Sequence, residues 1–582
     1  MSFPQVKTHR RRIGVLVSEL VDDYQSAVLE GACQAARARG IDIFCFVGGE
    51  FDSPALGESM RNHVFSFVGK AGLDAILVIV GGIANRCAPD SLSTYCAAFG
   101  NIPVCTIAGK LSGIPSVSVN NRLGVRETVT HLIRHHGCKR IAFIKGPDQN
   151  EEAVERYEAY REALAEQPIE FDPKLVAPGD FSAEAGDRAI TLLFGERRLD
   201  VGSVDAIVAA DDATALGAIQ ALEKRRIRIP SQIAVVGFDD VEEARFAAPP
   251  LTTVRQPLRE QGAAGVRLLL KQLQGEPADD VRLSTTTILR RSCGCFSGEV
   301  GGTLQSSGNV SSTRGAFETE LAQRRDLIVA ELSDAAQGLF AATPGWEILL
   351  MKSFAEQLRT ESERFTRALR NMVESLLSGG ADVTAVHEIV TVVRRRMLDC
   401  LDDRALRDRA EEIFQQARLS TSAAVEQAQA KRRAKTERIA RVLSATSREL
   451  IAASSVDDLC EVAGRRLPGL GVASCYVSVF RNGSDPDGIA RTLFAYDPEV
   501  SPHIIRGGEP FPSHMLACPQ MRSVNRSRSF VILSVHSGDE RLGLMAVSLD
   551  GTPPYVYETF ADMVGASIDR LRKLRRLPDV LD

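Results

Sequence analysis

The stretch that decides the fold of the first half of this chain is DAIVAADDATALGAIQALEKRRIRIPSQIAVVGFDD, residues 205–240. It contains an apolar run from Asp205, a helical pattern from Thr214 to Arg225, and a second apolar run from Ile233. Apolar runs without strict alternation, separated by a helix, are typical of parallel strands that are covered on both faces. The stretch therefore predicts a strand–helix–strand unit of an α/β domain.

The same alternation extends over residues 12–292 and predicts a doubly wound α/β domain there. Further strand-like runs begin at Ile13, Ile41, Asp74, Pro103 and Arg140, with helical patterns at Ser26–Arg39, Gly124–His135 and Glu152–Ala165. In such folds, ligands bind outside the carboxyl ends of the strands. We therefore expect binding residues in the turns that follow these runs.

Successive motifs in this region resemble the effector-binding domain of LacI/GalR regulators. They are IPSVSVNNRLGVRETVTHLIRHHGCKRIAFIKGP (114–147), ERYEAYREAL (155–164), DAIVAADDATALGAIQAL (205–222), IPSQIAVVGFDD (229–240) and PPLTTVRQP (249–257). The resemblance implies a periplasmic-binding-protein-like fold whose two lobes clamp a small polar effector, sugar-like or nucleobase-like. It places the crossings between the lobes near Val119, Thr252–Pro257 and Leu283–Thr287.

Three candidate ligand residues follow from the resemblance. Arg156, within ERYEAY, matches an arginine that reaches into the cleft, and a guanidinium can donate to two ligand oxygens at once. Asp212, within AADDATALG, matches a ligand acceptor, although Asp211 or Asp212 could instead cap the following helix. Asp211 departs from the Asn-Asp pair that is commoner in the family, so either aspartate could meet the ligand.

Four more candidates come from strand ends and hinges. Asp23 and Tyr24 follow the first strand, where a Tyr ring could stack on a ligand or simply belong to a helix start. Asn121 follows the first crossing and could bind ligand or hold the hinge. Gln149 follows the strand that begins at Arg140.

The sequence predicts no metal and no cofactor. Cys293 and Cys295 form a Cys-Gly-Cys motif, but metal sites usually take four ligands and no second Cys/His cluster lies close to them in the sequence. Structural roles are therefore the favoured interpretation of both cysteines.

The remainder of the chain predicts three further segments. Residues 293–315 include a Gly/Ser/Thr-rich flexible linker, 316–453 form a helical bundle or coiled-coil signalling segment, and 454–577 resemble an α+β GAF-like domain. An apolar stripe in the last helix has the spacing of a seam between paired helices, and it predicts a homodimer, although the stripe could instead be buried against the chain's own helical bundle. Its members are Ile439, Val442, Leu443, Thr446 and Leu450.

We expect a cytoplasmic regulator that is not an enzyme. The sequence shows no signal peptide, membrane span, P-loop or nucleophile elbow. The net charge of -5 and the lack of a helix-turn-helix make direct DNA binding doubtful and favour a separate output protein. The alternatives are a LacI/GalR-type transcription factor that contacts DNA itself and a solute-binding protein for uptake, which the missing export signal disfavours.

Overall fold

The computed structural model describes residues 10–574, except 86, 88, 168, 296–315, 337–339, 341–342, 361, 379–383, 483–485, 502–503, 517–528 and 550–551. The chain divides into two compact units: Met1–Cys295 together with Ile439–Asp582, and Phe296–Arg438. The Gly/Ser/Thr-rich part of the predicted linker lies outside the described residues. None of the described helices is long and apolar enough to cross a membrane.

The amino-terminal part of the first unit alternates strands and helices. Its strands are β1 (Arg12–Val17), β2 (Asp42–Val47), β3 (Ala75–Ile79), β4 (Val104–Ile107), β5 (Ser116–Val119), β6 (Ile141–Ile144), β7 (Val176–Ala177), β8 (Ala206–Ala209), β9 (Ala234–Val236), β10 (Thr253–Arg255), β11 (Val281–Leu283) and β12 (Thr286–Ile288). Its helices are α1 (Asp23–Arg37), α2 (Leu56–Arg61), α3 (Val80–Ile83), α4 (Pro89–Ala97), α5 (Asn121–His136), α6 (Glu151–Ala165), α7 (Ala183–Ile190), α8 (Asp212–Lys224), α9 (Glu242–Phe246) and α10 (Leu258–Leu273).

These elements form two α/β lobes, as the alternation predicts. In lobe 1 the parallel strand order is β11-β5-β4-β3-β1-β2, and in lobe 2 it is β7-β6-β8-β9. The strands are buried almost throughout, since helices cover both faces of each sheet.

Three segments cross between the lobes at the positions that the resemblance implies. The first leads from β5 in the lobe 1 sheet to α5, which packs on α6 of lobe 2. The second leads from β10, whose Arg255 bridges to Asp239 of lobe 2, to α10, which packs on α1. The third joins β11, paired with β5, to β12, paired with β10.

The carboxy-terminal part of the first unit, here called the C-terminal module (residues 439–574), extends the lobe 1 sheet. It contains the end of α16 (Arg404–Ala452), then α17 (Val456–Leu470), β13 (Cys475–Asn482), β14 (Ile489–Tyr496), β15 (Ile505–Arg506), β16 (Phe511–Pro512), β17 (Ser529–Ser537), β18 (Glu540–Ser548) and α18 (Pro554–Lys573). Strand β17 pairs in parallel with β2, from Ser529 opposite Ile43 to Leu533 opposite Val47. The result is one twelve-stranded sheet, in which β17, β18, β13 and β14 are antiparallel. The edge of lobe 1 at β2 is thereby covered by the chain's own strand.

The apolar stripe of α16 is buried within this module, and the prediction that it forms a seam with a second copy is wrong. Ile439 and Leu443 are 5% and 8% exposed, and Thr446 and Leu450 are fully buried. Ile439, Leu443 and Leu450 belong to the same core as residues of α17 and α18, including Leu467 and Phe560. The spacing correctly indicates burial, but the partner is intramolecular.

The described residues of the second unit form helices and the short connections between them. The helices are α11 (Ala316–Gln323), α12 (Arg325–Ala335), α13 (Trp346–Arg359), α14 (Arg364–Ser378), α15 (Thr384–Leu398) and the first part of α16, which continues past the unit boundary. Phe354, Phe365 and Phe414 meet at the centre of their core, with ring centroids 4.7–5.9 Å apart. Aromatic packing of this kind holds three helices together.

Phe530 provides a test of the joint between lobe 1 and the C-terminal module. Its ring, on β17, lies 5.9 Å from Phe44 of β2 and 6.2 Å from Tyr476 of β13, and it is 4% exposed. We expect Phe530→Ala to lower the free energy of unfolding by about 3–5 kcal/mol, because it leaves a cavity at the joint. Denaturant titration measures this change. The exposed Ile489, changed to Ala, is the control, and an equal loss in both variants would contradict a tightly packed joint.

Candidate ligand-binding site

A cavity of about 450 Å³ lies between the two lobes. Its walls are the turns that follow β1, β2 and β3 in lobe 1 and β6, β7, β8 and β9 in lobe 2. These are the carboxyl ends of the parallel strands, where α/β folds bind ligands. Both lobes therefore contribute to one site.

Arg156, on α6, forms the floor of this cavity on the lobe 2 side. Its guanidinium donates from Nη1 to the Ala210 carbonyl oxygen (2.8 Å), from Nη2 to Glu152 (3.1 Å) and from Nε to Asn121 (2.9 Å). It also stacks at 3.9 Å from the ring centroid of Phe238 and is only 3% exposed. A side chain fixed this firmly presents its remaining N–H groups in a defined direction.

Carboxylates surround Arg156. Asp239 lies 3.8 Å from its Nη1 and accepts from Gln256, while Asp211 caps α8 by accepting from the Thr214 amide at 3.3 Å. Burial raises the pKa of Asp211 to about 6, against the opposing effect of Arg156. Burial also raises the pKa of Glu152 and of Asp239. The region is therefore rich in acceptors and tolerates little further negative charge.

Two buried polar atoms on the cavity wall make no hydrogen bond within the described part of the chain. They are Oη of Tyr24, from lobe 1, and Oε1 of Glu152, from lobe 2. Burying such atoms without a partner is costly. Both residues line the cavity, one from each lobe, although these two atoms have almost no accessible surface.

The whole lining is strongly acidic. The acidic residues that line the cavity are Glu19, Asp22, Asp23, Glu50, Glu58, Glu152, Asp180, Glu184, Asp211, Asp239 and Glu243, whereas the basic ones are Arg61 and Arg156. Burial and the neighbouring Asp22 and Glu558 raise the pKa of Glu19 to about 7. An anionic ligand would be repelled, whereas hydroxyl groups or a cation would find acceptors.

The structure brings four of the predicted site residues to the cavity: Arg156, Asp211, Tyr24 and Asp23. Asn121 does not line it, but it accepts from Arg156 and donates to Glu155 (3.0 Å), which fits the hinge interpretation of this residue. Gln149 is exposed. The next residue, Asn150, lines the cavity instead and donates to Asn85 of lobe 1 at 3.0 Å.

Asp212 also lies outside the lining, because its carboxylate makes hydrogen bonds within the interior of lobe 2. It accepts from the Val241 amide (3.1 Å) and from the Thr253 hydroxyl (2.6 Å), and it is fully buried. A Cβ on Gly237 would lie 2.1 Å from its Oδ1, which explains the glycine of the VGFDD motif. Asp211 thus faces the cavity and also caps the helix, while Asp212 ties β9 to β10.

Sequence reasoning missed Glu152, Asn85 and Arg61. Glu152 stands four residues before Arg156 on α6, so helical spacing from the predicted arginine could have found it. Asn85 lies in a bend after α3 and Arg61 at the end of the short helix α2, and no motif marks them.

Comparison with known proteins agrees with the predicted sensor domain. Residues 129–293 match the family model of a periplasmic binding protein-like domain. The chain is 39% identical over 186 residues to the HTH-type transcriptional regulator CelR of Thermobifida fusca, covering 31% of this chain and 53% of the relative. It is 33% identical over 180 residues to the HTH-type transcriptional repressor CytR of Escherichia coli strain K12, covering 30% of this chain and 51% of that protein.

Among solved structures, a complex of the transcriptional regulator CelR with cellobiose has 30% sequence identity and a TM-score of 0.42, covering 49% of this chain and 85% of that one. The chain spans about half the length of these curated relatives. The resemblance that the sequence motifs indicate is confirmed for the sensor region. This chain contains a periplasmic-binding-protein-like domain of the kind found in LacI-family transcriptional regulators.

Proposed function

We propose that this chain is a ligand-responsive regulator that binds a neutral, hydroxyl-rich metabolite, such as a sugar or polyol, between the lobes. The observation that carries the proposal is the cavity between the lobes, whose lining has eleven acidic residues and two arginines, Arg61 and Arg156. Hydroxyl groups can donate to the carboxylates and accept from Arg156. A nucleobase has fewer donors for so acidic a lining and is the second choice.

A ligand that bridges the walls would favour the closed arrangement of the lobes, because it gains contacts there that an open cleft cannot provide. In this proposal, the closure of the lobes is transmitted to the C-terminal module through residues of lobe 1 that line the cavity. Arg61 lines the cavity and forms an ion pair with Glu558 of α18 (3.3 Å), and Glu558 also accepts from the Leu20 amide at 2.8 Å. This direct link lets the C-terminal module, whose element order resembles a GAF domain, respond to the ligand.

The output of the regulator is transcriptional or signalling, and we propose that it acts through a separate protein. The relatives are named as transcriptional regulators, which supports a regulatory role. We further propose that the chain forms a homodimer through the sensor lobes. The α16 stripe is buried within the chain and so is not available for this contact.

The binding proposal is tested by a thermal-shift screen of the full chain with neutral mono- and disaccharides, polyols and nucleosides, each beside its phosphorylated form. A bound ligand stabilises the native state by mass action. We expect neutral sugars or polyols to raise the melting temperature and phosphorylated forms to have no effect. Stabilisation by the phosphorylated compounds alone would contradict the acidic site.

Asp211→Asn separates ligand binding from folding, because asparagine caps helices as well as aspartate does. We expect the affinity for a sugar found in the screen to fall about ten- to a hundredfold, as a buried charged acceptor is lost. Isothermal titration calorimetry measures the change. Asp148→Asn, at an exposed position outside the lining, is the matched control. Equal affinity in wild type and Asp211→Asn would remove Asp211 from the site.

Glu558→Gln tests the link to the C-terminal module. Losing the charge weakens the pair with Arg61, so we expect sugar-dependent protection of α18 in hydrogen exchange to shrink while sugar affinity changes less than about threefold. Asp569→Asn, on the same helix but paired with Lys573, is the control. If wild type shows no sugar-dependent change in α18, the proposed relay is wrong, although the binding site could stand.

Direct DNA binding is tested by selecting duplex DNA from a random pool with the full chain at moderate salt. The basic run from Lys431 to Arg441 lies on the uninterrupted helix α16, which offers no turn before a recognition helix. We expect no consensus sequence. A consensus whose binding depends on this run would establish the DNA-contacting alternative.

A further inference from the structure

Four potential metal ligands meet at the carboxy-terminal end of the sensor region, away from the cleft. His131 and His136 lie on α5, and Cys293 and Cys295 lie where the chain leaves lobe 2. One ligand atom from each of the four lies within 4.8 Å of all the others. The sequence prediction of no metal is therefore open to correction, because a second Cys/His pair adjoins the Cys-Gly-Cys motif in space.

The distances suit one tetrahedral ion. Nε2 of His131 lies 3.1 Å from Nε2 of His136, 3.3 Å from Sγ of Cys295 and 3.9 Å from Sγ of Cys293, and His136 Nε2 lies 3.4 Å from Cys295 Sγ. With Zn–N near 2.0 Å and Zn–S near 2.3 Å, the edges of a tetrahedron are about 3.3–3.8 Å long. The cluster is already close to that size.

The backbone holds both sulfur atoms on the same side. Gly294 has φ +102°, a region that favours glycine, and its amide donates to the Arg291 carbonyl oxygen at 3.0 Å. A Cβ at this position would lie 3.3 Å from the His136 ring. The glycine of Cys-Gly-Cys therefore lets the chain turn back so that Cys293 and Cys295 both face the histidines.

Neighbouring residues fix this turn in place. Ser292 is fully buried, donates to the Val235 carbonyl oxygen (2.6 Å) and accepts from the Thr252 amide (2.7 Å). The Thr252 hydroxyl lies 3.1 Å from Sγ of Cys293. Such surrounding hydrogen bonds orient metal ligands before the ion binds.

Two imidazole groups and two thiol groups are the ligands that zinc prefers in structural sites. Two thiolates would balance the charge of a divalent ion, which suits a partly buried site. A mixed sulfur and nitrogen set in tetrahedral geometry is typical of structural zinc.

We propose that His131, His136, Cys293 and Cys295 bind one structural zinc ion. The ion fastens the last residues of the sensor region to α5, the helix that begins at Asn121 and thereby contacts Arg156. It anchors the chain at Cys295, immediately before residues 296–315. Without the ion, the chain at Cys295 would be held only by the hydrogen bonds described above for residues 292–294.

The test uses the full chain, purified without a metal-affinity step and under reducing conditions, with zinc measured by plasma mass spectrometry. We expect about one zinc per chain, and we expect Co²⁺ to give the strong visible bands of tetrahedral cobalt together with a thiolate charge-transfer band. Cys295→Ser and His136→Asn should lose stoichiometric zinc and the cobalt spectrum. His135→Asn, whose ring lies 4.9 Å from that of His131 but outside the cluster, should keep both.

A chelator supplies a second readout that does not depend on the variants binding metal. It should lower the melting temperature of wild type and of His135→Asn, and leave that of Cys295→Ser unchanged. Three results would overturn the proposal: no zinc or cobalt uptake by reduced wild type, metal content retained in both ligand variants, or a metal-free Cys293–Cys295 disulfide in freshly purified protein. The third would identify a redox pair instead.

Discussion

The buried guanidinium of Arg156 is the interaction on which the cleft depends. Arg156 supplies the positive charge among Glu152, Asp211 and Asp239, which lie together in a buried wall where an unpaired charge is strongly destabilising. Asn121 links this group to the first crossing segment by accepting from Nε at 2.9 Å. The same contact that stabilises the acidic wall therefore connects it to the hinge.

An acidic cleft also limits what the protein can sense. Carboxylates accept hydrogen bonds from hydroxyl groups and repel phosphates, so the lining favours neutral ligands with many donors. In the proposed relay the path is short, since Arg61 belongs to both the cavity wall and the ion pair with Glu558. The pairing of β17 with β2 makes lobe 1 and the C-terminal module one continuous sheet, so a shift of one is imposed on the other.

Local sequence was sufficient for the elements of the sensor fold, but not for long-range partners. Arg156 could be predicted because ERYEAY matches a family motif, whereas the roles of Asp211 and Asp212 depend on Gly237 and Thr253, which only the folded chain brings near. The α16 stripe shows that a helix face is buried without showing against what.

The pairing of distant strands and the clustering of distant side chains could not be predicted from the sequence either. Nothing in residues 529–533 indicates that they cover the edge of β2, since any apolar strand could do so. His131 and Cys293 are far apart in the chain, so spacing rules for metal sites, which depend on short intervals, could not join them. The Cys-Gly-Cys motif was visible, but its partners were not.

The most direct measurement of the central claim is a crystal structure of the full chain with a neutral sugar selected by thermal shift. We expect sugar hydroxyl groups within hydrogen-bonding distance of the Asp23 carboxylate in lobe 1 and the Asp211 carboxylate in lobe 2, with Arg156 held by the same three acceptors as in the present structure. A sugar bound outside the cleft, or one that contacts a single lobe and neither of these carboxylates, would contradict the proposed site.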